Sequence, residues 1–144
     1  NQLFLDPSYI FAAFREGAKF TRKRRSSLQA MLSATLQVTD THIVIKDRFL
    51  PDGLTTPPQT DPTSPGYLDV RGVRNPVTRG RNIRYRIACS SGWECSFHLV
   101  WDPSILNRDQ MHAIAIDAGR LVGIGSGRNI GFGRFEVTSF EVVE

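Results

Sequence analysis

The sequence predicts one mixed α+β domain, because strand-like alternation and helix-like stripes of apolar residues follow each other along its 144 residues. Hydrophobic residues make up 40% of the chain, which suffices for one ordinary core and is little for two. Basic residues are clustered: Arg71 to Trp93 contains six arginines and no acid, and Lys19 to Arg25 contains five basic residues. Two acid-poor basic runs favour a polyanion as the partner.

The N-terminal segment is predicted to be a strand followed by an amphipathic helix. The apolar run Leu3–Leu5 is typical of a short strand, and Asp6 before Pro7 is typical of a helix N-cap with proline in the first turn. We expect the helix to end near Phe20, before the basic run. Helical spacing predicts a buried stripe of Ile10, Phe11, Phe14 and Ala18.

The region after this helix is predicted to hold an insertion at about residues 35–75. Five prolines between Phe49 and Gly66 predict a long loop inside it. We expect Tyr67–Val73 to return as a strand that pairs with residues 36–46 as a projecting ribbon. The shorter elements predicted before the loop are a helix over residues 26–34 and one or two strands over residues 35–46, with a break at Thr39–Asp40.

A basic hairpin is predicted in the second half of the chain. Residues 83–87 alternate between large apolar side chains and arginines. A strand there is expected to bury the apolar set and to present Arg84 and Arg86 on its other face. Gly92 predicts a turn, after which residues 93–101 alternate again, with His98 on the polar side. The apolar residues expected to be buried are Ile83, Tyr85, Ile87, Cys95, Phe97 and Leu99.

A second helix and a last strand are predicted near the C-terminus. Asn107 and Gln110 have the spacing of a capping box, and Gly119 is expected to end the helix. Phe135 and Val137 alternate with polar residues, which predicts a strand after the glycines. The apolar stripe of the helix is predicted to be Met111, Ile114, Ala115 and Ala118.

The predicted elements follow the order strand, helix, strand, strand, helix, strand, which is the βαββαβ order of the ferredoxin-like fold. We expect residues 83–87, 95–99 and 135–137 to lie in one antiparallel sheet under the 108–118 helix. RNA-recognition modules use the open face of such a sheet to bind single strands. Here that face is expected to carry Arg84, Arg86, His98 and Arg134.

A Gly-rich loop, Gly123 to Val137 (GIGSGRNIGFGRFEV), precedes and enters the last predicted strand. Its five glycines permit positive φ angles and the close approach of another group. Arg128, Asn129 and Arg134 place guanidinium and amide donors beside backbone N–H groups, which suits a phosphate or ribose partner. A Gly-rich connection between a helix and a strand explains the same glycines equally well.

Two stretches resemble the RAMP superfamily, the ferredoxin-like proteins of CRISPR effector complexes that hold or process guide RNA. Pro7–Arg15 (PSYIFAAFR) is similar to the first-helix motif of that superfamily. The helix, Gly-rich loop and final strand near the C-terminus are similar to its signature, and they also resemble the ends of phage-borne RAMP-like proteins. The resemblance implies a ferredoxin-like fold and a surface that binds a polyanion.

These observations predict a non-catalytic protein that binds RNA or single-stranded DNA. It is expected to assemble along the strand, as a homo-oligomer or with other subunits of a ribonucleoprotein complex. The residues predicted to contact nucleic acid are Lys19, Arg22, Lys23, Arg24, Arg25, Arg79, Arg81, Arg84, Arg86, Gly125, Gly127, Arg128, Asn129, Gly131, Gly133 and Arg134.

Two alternatives stay open at this stage. The protein is an RNA-processing endonuclease if His98 or His42 acts as a general base, and it is a phage or assembly protein if its arginines bind other proteins. No motif for a metal, a cofactor or a nucleophile occurs, so none is expected. Cys89 and Cys95 are expected to be reduced thiols, and the absence of a long apolar run predicts a cytoplasmic protein without a membrane partner.

Overall fold

The computed structural model describes residues 1–23, 26–74, 77 and 80–143, and for residues 22, 23, 73, 74, 81 and 82 it describes the backbone alone. The prediction of a mixed α+β fold is confirmed, because the described residues form helices and small antiparallel sheets. The strands are β1 Gln2–Leu5, β2 Arg22–Lys23, β3 Ser26–Ser27, β4 Gln37–Val38, β5 Ile43–Phe49, β6 Gly66–Arg74, β7 Arg81–Cys89 and β8 Leu99–Val100. The α-helices are α1 Pro7–Gly17, α2 Gln29–Thr35 and α3 Arg108–Asp117.

The chain divides into two compact units. Unit 1 contains Asn1–Leu5 and Ile43–Ser96, and unit 2 contains Asp6–His42 and Phe97–Glu144. The antiparallel pairs β1–β5 and β6–β7 belong to unit 1, whereas β2–β3 and β4–β8 belong to unit 2 with the helices. A single domain with an insertion at about residues 35–75 stays a prediction.

Helix α1 begins where the sequence predicts it. Asp6 has extended backbone angles, and its side chain accepts a hydrogen bond from the Ser8 N–H at 2.9 Å. The helix ends at Gly17, where a Cβ would lie only 2.8 Å from the backbone nitrogen of Ala118, so a glycine is needed for this approach. Phe11 is half-buried. The buried apolar residues of unit 2 are Ile10, Ala13, Phe14, Ala18, Leu28, Leu32, Leu36, Leu106, Met111, Ile114, Ala115, Ala118 and Ile124.

Helix α3 starts with the predicted capping box. The Asn107 side chain accepts a hydrogen bond from the Gln110 N–H at 2.8 Å, and the Gln110 side chain accepts one from the Asn107 N–H at 2.9 Å. The prediction that Gly119 ends the helix is wrong, because the chain continues as a π-helical turn over Ala118–Val122. Gly119 serves packing instead, since a Cβ there would collide with the backbone oxygen and the ring of Phe135.

Unit 1 is built from its two strand pairs. In the β1–β5 pair, Phe4 lies opposite Val44. Leu3 of β1, Ile45 of β5 and the following Leu50 form a small core. Strands β6 and β7 pair along their whole length of nine residues each and form a long two-stranded ribbon.

The predicted strand over residues 67–73 is confirmed, but its predicted pairing with residues 36–46 is wrong. It lies within β6, which pairs with β7. Only residues 75–80 separate these two strands in the sequence. Closing this short connection costs less chain entropy than pairing across the Pro-rich loop, which explains the choice of partner.

The predicted hairpin between residues 83–87 and residues 93–101 is not formed. Gly92 lies in a turn with φ of 94°, as expected, but the chain then runs beside β5: the Lys46 N–H donates to the Glu94 carbonyl at 2.8 Å. The following segment contributes only β8, which pairs with β4. The turn at Gly92 thus leads the chain to β5 and not back along β7.

The last predicted strand has the right alternation but no sheet partner among the described residues. Phe135 and Val137 are half-buried, and the residues between and beside them are exposed. The Phe135 N–H donates to the carbonyl oxygen of Gly119 at 3.0 Å. The segment is therefore held by the π-helical turn after α3 and not by a strand.

The prediction of one antiparallel sheet under the 108–118 helix is therefore wrong. Residues 83–87 pair with β6, residues 99–100 pair with β4, and residues 135–137 contact the turn after α3. Alternation fixes which side of a strand is apolar, but it does not choose the neighbouring strand. The ferredoxin-like βαββαβ topology is not confirmed.

Candidate nucleic-acid interface

Within the Gly-rich loop, residues 123–133 close on themselves. The Ile124 N–H donates to the Gly133 carbonyl at 3.0 Å, and the Phe132 N–H donates to the Gly127 carbonyl at 3.1 Å. A short 3₁₀ turn, Arg128–Ile130, lies inside the second of these closures. The loop is thus an ordered structure that holds its own ends together.

The five glycines of the loop fall into two groups. All five have positive φ, between 78° and 93°. A Cβ at Gly123 or Gly127 would lie 2.9 Å or less from a neighbouring loop atom, and one at Gly133 would collide with the backbone of residue 124. At Gly125 and Gly131 no atom lies within 4 Å of such a Cβ. The connector interpretation explains the first group, whereas the second group leaves open space for another molecule.

The open part of the loop also presents backbone donors. Among the described residues, no backbone hydrogen bond outside the helices and strands has the N–H of Gly125, Ser126 or Gly127 as its donor. Successive N–H groups in a turn that contains left-handed residues form a concave site for anions. This segment therefore has the donors that a phosphate requires.

The polar side chains of the loop add positive charge. Arg128 is half-buried, and Asn129 and Arg134 are exposed. The Arg134 guanidinium donates to the carbonyl of Arg120 at 2.6 Å, in the last turn of the helical segment, where carbonyl groups lack helical partners. This hydrogen bond uses one donor of a group that has five. One of the five N–H groups of Arg134 therefore holds this side chain at Arg120.

The basic cluster after the first helix is only partly described. Lys19 donates a hydrogen bond to Glu16 at 2.7 Å, so its charge is locally balanced. That hydrogen bond is the main reason why the pKa of Glu16 lies below its usual value. Burial acts in the opposite direction, and the charges of Lys19, Arg15 and Arg128 lower the pKa further. Arg22 and Lys23 form β2, and their side chains lie outside the description. Arg24, Arg25 and Arg79 lie outside the described residues.

The predicted basic strand lies in the β6–β7 ribbon. Arg84 is exposed and lies opposite Arg71, whereas Arg86 is half-buried and lies opposite Asp69. The backbone of Arg81 is paired at the end of the ribbon. The prediction that the apolar face of this strand is buried is wrong: Ile83, Tyr85 and Ile87 are all exposed. The half-buried Asp69 lies on the same face as Arg84 and Arg86, and the apolar residues lie on the opposite, exposed face.

Arg84 and Arg86 thus belong to unit 1, whereas His98 and Arg134 belong to unit 2. The predicted common open face of one sheet is not formed by these four residues. What the structure does bring together in unit 2 is the Gly-rich loop with its two arginines.

A His–Asp pair in unit 2 was not predicted. The carboxylate of Asp40 accepts a hydrogen bond from the His98 backbone N–H at 2.6 Å, and its other oxygen lies 3.0 Å from His98 Nδ1. The His98 side chain is 78% exposed and that of Asp40 only 17%. Burial raises the pKa of Asp40, but the hydrogen bonds from the His98 ring and backbone outweigh it and hold that pKa below its usual value. Asp40 thus orients the ring and leaves Nε2 towards solvent.

His98 and His42 were named as candidate general bases from the sequence, and no acidic partner was assigned to His98. The sequence predicted a break between two strands at Thr39–Asp40, and this break lies between β4 and β5. Residues that are 58 positions apart carry no local pattern that joins them. His42 has a small electrostatic effect on Asp6, whose pKa is held below its usual value mainly by hydrogen bonds from Ser8.

Other kinds of site receive no support from the described ranges. No group of three or more His, Cys, Asp or Glu side chains there has an arrangement that could hold a metal ion. The same part of the chain contains no helix of sufficient length and apolar character to cross a membrane. Cys89 and Cys95 are free, and burial raises the pKa of both thiols.

In comparisons with protein-family models, curated proteins and solved structures, no match to this chain was found.

Proposed function

We propose that this protein is a non-catalytic nucleic-acid-binding protein that holds RNA or single-stranded DNA at its Gly-rich loop. The observation that carries the proposal is the open space at Gly125 and Gly131 inside a loop whose other glycines are packed. Arg128 lies in that loop directly after the N–H groups of residues 125–127, and Arg134 follows Gly133. A phosphate satisfies both kinds of donor at once.

The resemblance to the RAMP superfamily belongs to the same proposal. The order β1–α1, and the order α3, Gly-rich loop, extended segment, support it. The proposal includes assembly of the protein along the nucleic-acid strand, as a homo-oligomer or with other ribonucleoprotein subunits. A ferredoxin-like sheet would need residues 135–137 to pair with a strand, and amide hydrogen exchange of these residues in a nucleic-acid complex tests such a pairing.

The test is a salt titration of binding to a labelled single-stranded oligonucleotide of mixed sequence. Replacing Arg128 and Arg134 by Ala is expected to weaken binding and to reduce the slope of log affinity against log salt by about 1.4, the value for two phosphate contacts to a single strand. Arg108→Ala removes an exposed charge of the same unit at the start of α3 and is the matched control. Absence of binding by the parent protein at low salt contradicts the proposal, and so does an unchanged slope in the folded double variant.

A second candidate function is metal-independent RNA cleavage at His98. The Asp40 carboxylate beside Nδ1 favours it, because such a partner fixes the ring tautomer in which Nε2 accepts a proton. Incubation of a labelled RNA with a chelator present tests this activity. His98→Ala is expected to reduce cleavage about 100-fold or more, and Asp40→Asn to reduce it less. His42→Ala is the matched control, and cleavage that survives His98→Ala excludes this candidate.

A further inference from the structure

The β6–β7 ribbon has one apolar and one basic face. Residues that lie opposite each other in an antiparallel pair share a face. On one face, Tyr85 lies opposite Val70. On the other face, Arg84 lies opposite Arg71. The same face carries the pairs Ile87 with Leu68 and Ile83 with Gly72, and the register continues on it to Cys89 with Gly66 and to Arg81 with Arg74.

The apolar face is exposed. Tyr85 is 65% exposed and Ile83 is 62% exposed, and the neighbouring Val70 and Ile87 are each 46% exposed. Two-stranded ribbons are only marginally stable in water unless a face is covered. The exposed apolar patch around Tyr85 therefore indicates a binding surface.

We propose that this apolar face stacks the bases of single-stranded nucleic acid on Tyr85, while Arg84 and Arg86 bind the flanking phosphates. This inference rests on the function proposed above and adds a second contact surface in unit 1. Arg84 and Arg86 lie on β7, whose other edge has no neighbouring strand among the described residues, and an arginine side chain is long enough to extend past that edge. A single-stranded nucleic acid whose bases lie on the apolar face then has its phosphates at that edge.

The charge of the region favours nucleic acid as the occupant. The segment from Arg71 to Trp93 contains six arginines and no acid. Like charges directly opposite each other, as Arg71 and Arg84 are, destabilise a strand pair unless an anion lies nearby. Asp69, whose Oδ2 lies 3.0 Å from Arg71 Nε and which is paired with Arg86 in the register, is the single acid in the sequence of the two strands, against five arginines.

The size of the patch disfavours a protein partner. A stable protein interface uses about 20–30 residues on each side. The central, apolar part of this face offers only six positions, the three pairs from Leu68–Ile87 to Gly72–Ile83, and Gly72 has no side chain. That area suits a few unpaired bases, since aromatic side chains stack on bases of any sequence.

The experiment compares Tyr85 variants in binding to a single-stranded oligonucleotide and to an abasic strand of the same length. Tyr85→Ala is expected to weaken binding to the normal strand by about 5-fold to about 100-fold without changing the salt slope. Tyr85→Trp is expected to restore it. Both variants are expected to bind the abasic strand as the parent does. Tyr9→Ala, which removes a tyrosine that is 44% exposed on α1, is the matched control.

The outcomes separate this inference from the proposed function. If the parent binds with the expected salt slope but Tyr85→Ala binds equally well, the ribbon inference fails and the loop proposal stands. If neither protein binds at low salt, both fail. If Tyr85→Ala abolishes a concentration-dependent dimer in sedimentation and leaves binding unchanged, the occupant is a second copy of the chain and the inference is overturned. Thermal melting confirms that each variant is folded.

Discussion

His98 and Asp40 are joined by two hydrogen bonds although 58 positions separate them in the sequence. The backbone N–H of His98 donates at any pH, whereas the ring contact depends on the protonation of the ring. The Thr39 N–H also donates to the His98 carbonyl at 3.1 Å. Together these bonds tie the end of β4 to the segment before β8 and extend a pairing of only two residues per strand.

The lowered pKa of Asp40 predicts a loss of stability in acid. A carboxylate whose pKa is lower in the folded than in the unfolded state stabilises the fold above its usual pKa, 3.8 here, and that contribution is lost as the pH falls through the folded value. We expect Asp40→Asn to be less stable than the parent at pH 7 and to lose less stability on acidification. Urea unfolding at pH 7 and pH 3 measures both, with Asp109→Asn as the exposed control. An identical pH dependence in Asp40→Asn and the parent contradicts this prediction.

The two groups of loop glycines predict different effects of alanine. Gly133→Ala combines positive φ with a collision against the backbone of Ile124, and we expect it to cost more than about 3 kcal/mol of unfolding free energy. Gly125→Ala meets no atom, so we expect only the cost of a left-handed alanine, about 1–2 kcal/mol. Denaturant unfolding of both variants measures the difference. If both variants lost the same unfolding free energy, the packing around Gly133 would not distinguish it from Gly125.

The same alanine at Gly125 or Gly131 tests the binding surface. Because both positions face open space, a methyl group there is expected to obstruct a phosphate and not the fold. We expect each variant to weaken oligonucleotide binding at least as much as Arg128→Ala does, in protein that still melts cooperatively. Parental affinity in both variants would assign these glycines to backbone conformation alone.

The contact between α1 and the helical turn after α3 predicts a large effect at Gly17. Alanine favours a helix over glycine by about 1 kcal/mol, so propensity alone predicts stabilisation. A Cβ at residue 17 would, however, lie 2.8 Å from the nitrogen and 2.9 Å from the Cα of Ala118. We expect Gly17→Ala to destabilise by about 2 kcal/mol or more. Gly72→Ala, where a Cβ meets no atom within 4 Å, is the control, and a neutral Gly17→Ala would contradict the contact.

The raised pKa values of Cys89 and Cys95 predict slow alkylation near neutral pH. The thiolate is the reactive form, and burial disfavours it at both positions. We expect both thiols to react more slowly than a small free thiol at pH 7.5 and to react as fast as that thiol after unfolding in urea. Mass spectrometry of timed alkylation reactions measures this. Equal rates in the native and unfolded protein would contradict the burial of these side chains.

The sequence by itself determined the features that depend on neighbouring residues. Asp6 with Pro7 and the pair Asn107–Gln110 fixed the starts of two helices, because capping uses donors and acceptors a few positions apart. Alternation located β7 and the half-buried positions around Phe135. The turn at Gly92 was also predicted, since positive φ favours glycine.

Tertiary structure alone decided which segments meet. Pairing of β6 with β7 depended on the cost of closing a short connection against a long one, and the exposure of Tyr85 depended on that pairing. The partner of His98 and the collision that reserves residue 119 for glycine join atoms that are distant along the chain. A local sequence pattern predicts the conformation and polarity of a segment, whereas the segment that packs beside it depends on the packing of the whole unit.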